Sequence, residues 1–597
     1  MLEPDVRALL SDLLQPPPGF ALAHAVGTTF TLNLESALKV PLAFAGSRAN
    51  ADDAVGVLDA LRRAADRVDI FAQAGCVSLP KMHDLVALLE PMVHPVGMRG
   101  RLFHPKVWFL EFEADGERAY RFVCGSRNLT TDQTWDAVVS IDGTPSASVD
   151  TMTARSNDSM SALLRWLPRH LVQPMPAARR KRIDDLADRW QSIAWEAPAE
   201  AKTLEVHVLG IERDPIELPQ QRQSLIVSPF ITSDALERLR ARPGGATHVV
   251  ARPEQLDRLD PTALQNGRLS LKVLDETADP SVTHDGVDLG LGILSGLHAK
   301  LVVHDGPHMS RLLIGSANAT DAAWSSNVEV MLDVVGSTAR IGVDATLQSL
   351  APILESYTTT GGTDVPPEEE ARWRLESALR ELATAEVTIA ICTGEPYAFE
   401  LWREGHSSDE LGGHDEADAE VTVRWHLATR PDLAGTTLPR RDNAFRSGSI
   451  ALHEITPFVV LTASDAQGHR ASSILVARLI DDVADRRDAI VARQLIDPRS
   501  FARFLQLLLQ AGGTVPLLES SGAGAWSAFG GSVAEDGSGL LELLVRSTGA
   551  DHDGLEVIER VLRQLSAEER GRALPTGFLE VWSAVAEARR LDQGDPR

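Results

Sequence analysis

The chain has 597 residues, of which 44% are hydrophobic and 24% charged, with a formal net charge of −26. That length suits three or four domain-sized units, and the composition is that of packed globular units rather than a disordered or fibrous chain. Three scattered cysteines (Cys76, Cys124, Cys392) exclude a disulfide framework and match no zinc-site spacing, and the strong acidity excludes a protein that coats nucleic acid without selectivity.

The opening stretch MLEPDVRALLSDLLQPPPGF is acidic and proline-bearing, without the basic start and apolar core of a signal peptide. No run of about 18 apolar residues is present. No membrane association and a cytoplasmic location are therefore expected.

Residues 1–175 begin with a helical lead and pass into α/β alternation. VDIFAQAG (68–75) predicts a strand and KMHDLVALLEPM (81–92) a helix. RLFHPKVWFLEFEA (101–114) and AYRFVCGSRN (119–128) predict paired strands turning at Asp115-Gly116, with a further strand over 138–141. From Ser159 to Ile183 the chain has no acid but carries Arg165, Arg169, Arg179, Arg180, Lys181 and Arg182. This stretch is either a solvated helix face or a local polyanion site, the former being the simpler reading. Residues 176–202 read as a connecting helix.

Residues 203–360 repeat the plan. Strands are predicted over 204–211, 223–232, 247–252 and 269–276, and helices over 235–242 and 254–265; LHAKLVVHDG, RLLIGSAN and VEVMLDVVG follow. Residues 361–597 differ: a linker at 358–370, a β-rich part (375–480) with an acidic loop at 407–420, and a helical part (485–597). No catalytic constellation is visible there, so an accessory role in scaffolding or partner binding is expected. The predicted fold class is α/β: two halves related by a pseudo-twofold, plus a mixed β/α-helical C-terminal region.

The chemistry lies in the repeat. His104-Pro105-Lys106 matches His298-Ala299-Lys300, and Gly125-Ser126-Arg127-Asn128 matches Gly315-Ser316-Ala317-Asn318. Thr130 and Thr320 each follow an asparagine by two residues. Trp135 with Asp136, and Trp324 with Glu329, come further on. Residues i and i+2 of a strand share a face, so each histidine and lysine should project together, with a second strand of a hairpin bringing serine and asparagine alongside.

A tetrahedral phosphodiester suits that set. Lys106, Lys300, Asn128 and Asn318 can hold non-bridging oxygens and offset charge in a pentavalent transition state. One histidine can attack phosphorus while the other protonates the leaving oxygen, the roles reversing when water attacks the phosphohistidine. An acid behind each imidazole would fix its tautomer. The scheme needs no metal and no cofactor.

These residues resemble the phospholipase D superfamily, whose pattern is two copies of H-x-K-x4-D with a downstream G-S-x-N. Lys300 is followed by LVVH and Asp305 at the family's spacing, whereas the first copy has Glu111 there. The resemblance covers about residues 20–355, and SPFI (228–231) also looks like the family's second half. It implies phospholipase D-like α/β sandwich halves over 1–175 and 203–360. It further implies His104 and His298 as nucleophile and general acid/base, His104 being the nucleophile as in many two-motif members. Lys106, Lys300, Asn128 and Asn318 would bind phosphate, Ser126 and Ser316 would support them, Asp136 and Glu329 would orient the histidines, and Glu111 would be structural. Arg127, the asymmetric member of G-S-R-N, could add a phosphate contact. Trp135, Trp324 and Cys124 read as core residues, and His94, His284, His304 and His308 as structural or surface ones.

Members of that superfamily act on phospholipids or on nucleic acids. The large C-terminal region favours a cytoplasmic DNA-processing or phage-defence nuclease over an enzyme acting on phospholipid, or over an inactive phosphate-binding scaffold. DNA is expected ahead of RNA, and the acidity suits an enzyme delivered by a protein partner such as a helicase or another defence subunit.

Overall fold

The structure is a computed structural model of the chain. It describes residues 10–45, 64–79, 84–131, 134–211, 216–218, 221–265, 268–275, 283–284, 287–288, 296–394, 396–404, 421–483, 485–495, 497–498, 501, 553–575 and 577–592.

Two mixed sheets dominate. The first runs Val93–Val96, Val68–Gln73, Ala21–Thr29, Val107–Ala114, Glu117–Gly125, Val138–Pro145, Ile193–Trp195. The second contains the same sequence of neighbours: Arg268–Leu274, Ala246–Val250, Gln223–Val227, Leu301–Asp305, Met309–Gly315, Glu329–Ser337, with Ala201–Leu209 and Leu354–Tyr357 at its two ends. In each sheet the first three of these strands are parallel and the following hairpin is antiparallel to them. The repeat seen in two motifs thus extends to whole sheets.

Strand alternation explains how the sheets are covered. Val107 and Phe109 point into a core shared with Leu225, Val227, Leu301 and Val303 of the other half, while Trp108, Leu110 and Phe112 point the opposite way. Helices Thr151–Trp166 and Ala177–Trp190 contribute Leu163, Leu164, Ile183 and Trp190 to the shared core. The outer face of the first sheet is covered by C-terminal residues, among them Phe458, Val476, Val491 and Ile558.

The hairpin turn falls where expected. Asp115 and Gly116 take φ of 46° and 86°, a two-residue turn that needs left-handed backbone and so favours Asp-Gly. Several boundaries move. The expected helix over 81–92 becomes, within the described residues, a 3₁₀ segment Asp84–Leu89 followed by strand Val93–Val96, because Val93 and Val96 are buried in the parallel ladder. The helix expected over 254–265 is two short ones, Pro253–Asp257 and Pro261–Gln265, since Pro261 restarts it. The linker ends earlier than read: helix Pro367–Leu382 begins within it. The segment 176–202 holds strand Ile193–Trp195 and the start of Ala201–Leu209 besides its helix.

The basic stretch is spent internally. Arg165 pairs with Asp188 and Lys181 with Asp185 at 2.7 Å. Arg179 is buried, donating to Asp69 at 2.7 Å and to the carbonyls of Val68 and Ala65. The solvated-face reading therefore fits this stretch, apart from the buried Arg179.

Residues 385–480 form two four-stranded sheets around their own core, with Leu375 and Leu379 of helix Pro367–Leu382 packed against them. Helices Asp485–Gln494, Asp553–Gln564, Ala567–Ala573 and Phe578–Asp592 follow. A buried ion pair, Arg486 to Glu90 at 2.6 Å, ties this region to the first half. The acidic loop expected over 407–420 and residues 502–552 of the part expected to be helical lie outside the described residues. Among the described residues no helix is long and apolar enough to cross a membrane.

Asp69 is fully buried between His24 (2.9 Å), His94 (2.7 Å) and Arg179. Burial pushes its carboxyl up, but bonds to the two histidines and the nearby positive charges bring it well below the usual carboxylate range. Asp69→Asn leaves the Arg179 guanidinium buried without its counter-charge. A loss of about 3–5 kcal/mol is expected in denaturant unfolding of the first half. That loss should begin to shrink only as pH falls below the usual carboxylate range, and keep shrinking toward the lowered folded-state value of Asp69, because the wild-type advantage is present above the unfolded pKa.

Candidate active site

His104 and Lys106 lie in extended backbone just before strand Val107–Ala114, and His298 and Lys300 just before Leu301–Asp305; none of the four is within a regular strand. The expected strand placement is corrected by one element boundary. The reason is that the two lead-in segments leave their own sheets and pair across the molecule. Phe103 bridges Val328, with His104 N donating to Val328 O at 2.9 Å. Trp135 bridges Leu297, with His298 N donating to Trp135 O at 2.8 Å. Each histidine is thus held by the backbone of the opposite half, next to the residue that precedes that half's acid.

The side chains follow the crossing. Glu329 Oε2 accepts from His104 Nδ1 at 2.8 Å and from the Ser316 hydroxyl, so a carboxylate of the second half orients the first-half histidine. His104 Nε2 is thereby left as the reactive nitrogen. Asp136, at the corresponding place in the first half, lies 3.6 Å from Arg127. Lys106 Nζ donates to His104 O at 2.9 Å and Lys300 Nζ to His298 O at 2.8 Å. Lys300 also lies 3.4 Å from both Ser126 O and His298 Nδ1.

The serines brace the loops. Ser126 Oγ accepts from Ala137 N at 2.9 Å, and Ser316 Oγ from Val330 N at 2.9 Å, each one residue beyond its half's acid. Asn128 Oδ1 accepts from Thr31 N at 3.4 Å. Asn318 Oδ1 is buried and has no partner among the described residues. The structure therefore brings His104, His298, Lys106, Lys300, Ser126, Ser316 and Glu329 into one interlocked set, with Asn128 and Asn318 on the adjoining loops and Arg127 beside Asp136.

Other expected roles can be located. Glu111 is buried and structural in its contacts, bonding Arg189 (2.6 and 2.8 Å), Arg118 and the Tyr120 hydroxyl. Asp305 likewise braces Ser310 (2.7 Å) and Val343 N (3.0 Å). Cys124 is buried, and burial pushes its thiol up to about 12. Trp324 is buried and donates to Asn318 O at 2.9 Å, while Trp135 packs against the shared core. His94 and His304 are buried and bonded, to Asp69 and to Leu239 O.

Sequence reasoning missed several contributors. Phe30, at the end of the first strand, meets the His104 ring edge-on at 5.0 Å. Gln73 accepts from Phe103 N at 2.8 Å, and Arg252 donates to Leu297 O at 3.1–3.2 Å. Asn327 Oδ1 accepts from Leu102 N at 3.0 Å. Their signal is positional and becomes visible only once the strands are aligned. Among the described residues one group has cation-ligand spacing, Glu205, His207 and Asp333. Its Asp333 is already bonded by Arg311 and His207, so the set is an ion-pair network apart from the motif residues.

Crowded cations set the electrostatics. Burial pushes Lys106 down to about 7, with Glu329 opposing. Burial, with Lys106 nearby, holds Lys300 well below the usual lysine range. Burial takes His104 down to about 4 against the pull of Glu329. His298 is lowered further, by burial and then by Lys300, Lys106, His104 and Arg252. The cluster thus holds fewer protons than its residue types would in water, and negative charge placed between the lysines would reverse that.

No protein-family model matches the chain, and no curated protein matches it. Among solved structures it is similar to yeast tyrosyl-DNA phosphodiesterase, at 10% identity over 56% of this chain and 88% of that one, with a TM-score of 0.35. It is also similar to phosphatidylserine synthase of Haemophilus influenzae Rd KW20, at 12% identity over 63% and 89%, TM-score 0.31. A third is NucT from Helicobacter pylori, at 14% identity over 26% and 99%, TM-score 0.17.

Binding of tungstate or inorganic phosphate near pH 7.5 should take up protons, seen as a buffer-dependent enthalpy in calorimetry. Affinity should weaken as pH rises through about 7, where Lys106 loses its charge. Lys106→Met should reduce both effects.

Proposed function

We propose that the chain is a phosphodiesterase of phospholipase D type, working without a metal through a phosphohistidine, with nucleic acid as its substrate. The observation that carries this is the crossed site: two histidines, two lysines and two G-S-x-N loops from separate halves, with Glu329 of one half bonded to His104 of the other. Such a set suits one tetrahedral phosphate approached from two sides.

In this reading His104 Nε2 attacks phosphorus and the P–O bond to the leaving group breaks as His298 supplies its proton. A water then gives a proton to His298 and attacks the phosphohistidine, releasing the second product and restoring His104. Lys106, Lys300, Asn128 and Asn318 hold the non-bridging oxygens, and Ser126 and Ser316 keep the loops in place. Glu329 is a positioning residue for His104, and Asp136 has the same assignment toward the second half. Arg127, braced by Asp136, flanks the phosphate.

The nucleic-acid side is supported by the half-buried Phe30 ring beside His104 and Lys106, an aromatic surface suited to a base. DNA is proposed ahead of RNA, in restriction of foreign DNA within the cytoplasm. The net charge of −26 supports delivery to DNA by a protein partner, such as a helicase or another defence subunit, rather than high-affinity binding by the chain alone.

The test offers purified protein, in EDTA, labelled single- and double-stranded DNA, RNA and phosphatidylcholine vesicles. Cleavage of nucleic acid should persist and fall at least ~10²–10⁴-fold in His104→Ala and in His298→Ala. Glu329→Gln should lower kcat by ~10-fold or more and shift the acid limb of the pH profile, with KM little changed. Hydrolysis of the vesicles alone would select a phospholipid substrate, and turnover unaffected by either histidine would overturn the mechanism.

A further inference from the structure

The two halves are not equal at one position, and the difference lies beside His298. Leu129 N donates to Thr29 Oγ1 at 3.0 Å, and Ala319 N to Ser228 Oγ at 2.9 Å, so Thr29 and Ser228 are counterparts after the first strand of each sheet. Thr29 is paired with Ala72, and Val227 with Val250. The counterpart of Gln73 is therefore Arg252. Both reach the residue before the catalytic histidine: Gln73 takes the N–H of Phe103, and Arg252 donates to the carbonyl of Leu297. One half thus places a neutral amide where the other places a cation.

Arg252 is not used up there. Of its five N–H donors, Nε and one on Nη2 are engaged by Leu297 O, which leaves three without a partner among the described residues. Its guanidinium lies 5.1 Å from the centroid of Phe230. Phe230 is 37% exposed, one of four large hydrophobic side chains so exposed among the described residues. Its own carbonyl is fixed by the Ser228 hydroxyl at 2.7 Å, the same hydroxyl that holds Ala319 next to Asn318. A partly exposed aromatic ring is thus braced by a cation and anchored beside both the H-x-K segment and the G-S-x-N loop of the second half.

We propose that Phe230 and Arg252 form a nucleotide subsite on the His298 side of the site. A base of a single-stranded segment stacks on the open face of Phe230, and Arg252 takes the phosphate next to the scissile one. This rests on the nucleic-acid reading above and deepens it. The inequality of Arg252 and Gln73 adds to that of Arg127 and Ala317 in giving the substrate strand one direction through the cleft. A phospholipid headgroup could use the cation but has no planar base to occupy the ring.

The test measures binding, so it does not depend on turnover. Full-length protein carrying His104→Ala is titrated in EDTA with a fluorescein-labelled oligothymidylate, followed by anisotropy at several salt concentrations. Adding Phe230→Ala should weaken binding by ~5–150-fold, and Phe230→Trp should restore it, since a stacked base contributes about 1–3 kcal/mol. Arg252→Gln, which installs the other half's residue, should lower the salt slope by roughly one phosphate contact, a change of ~0.7. Equal affinity in all variants with an unchanged slope would overturn the subsite while leaving the nuclease reading standing. No oligonucleotide binding by any variant, beside hydrolysis of bis(4-nitrophenyl) phosphate by the His104 protein, would overturn both. Loss on Phe230→Ala that Phe230→Trp and folding controls trace to a disturbed loop would also overturn it.

Discussion

The arrangement depends on a pair of crossed backbone bridges. Phe103 pairs with Val328 and Trp135 with Leu297, so each half supplies the backbone on which the other half's H-x-K segment rests. Because the segments carrying His104 and His298 are held there by main-chain hydrogen bonds in a buried region, breaking them would leave unpaired polar groups at a cost of about 1–3 kcal/mol each. The halves are therefore locked in one mutual register, and the position of His104 relative to Glu329 follows from that register. A one-residue slip would turn the histidine away from its acid.

This lock explains the charge distribution. Two lysines and two histidines are drawn into a largely buried volume whose described carboxylates are Glu329, bonded to His104, and Asp136, beside Arg127. The protein thereby holds a local excess of donors inside a chain of net charge −26. Acidity elsewhere discourages indiscriminate binding of polyanions. The lowered lysines are the electrostatic counterpart of this crowding: burial disfavours the charged form of both, and at Lys300 the neighbouring Lys106 adds to it.

The C-terminal region also takes a defined place. Its β-sheets close on their own core, yet Phe458, Val476 and the buried Arg486–Glu90 pair cover the outer face of the first sheet. Helix Pro367–Leu382 starts at an ion pair with the second half, Glu369 to Arg258, and ends with Arg380 packed on Gly75 of the first. A linker by composition is in part a brace between the halves.

What the sequence determined by itself was the repeat and the residue types it carries. The H-x-K and G-S-x-N pairs, the α/β alternation and the Asp-Gly turn are short-range patterns, set by which side chains a strand or turn accepts. Boundaries were less legible: the helix expected over 81–92 is a 3₁₀ segment Asp84–Leu89, the buried strand Val93–Val96 after it went unread, and Pro367 hides a helix start inside a polar linker. What only the tertiary structure decided was the partnership across halves. Spacing put Glu329 downstream of Asn318, but only the crossed bridges carry it to His104, and only aligned strands make Arg252 the counterpart of Gln73. Those relations join residues about 200 positions apart, and no local pattern encodes them; they arise from two copies of one sheet packing face to face over a common core.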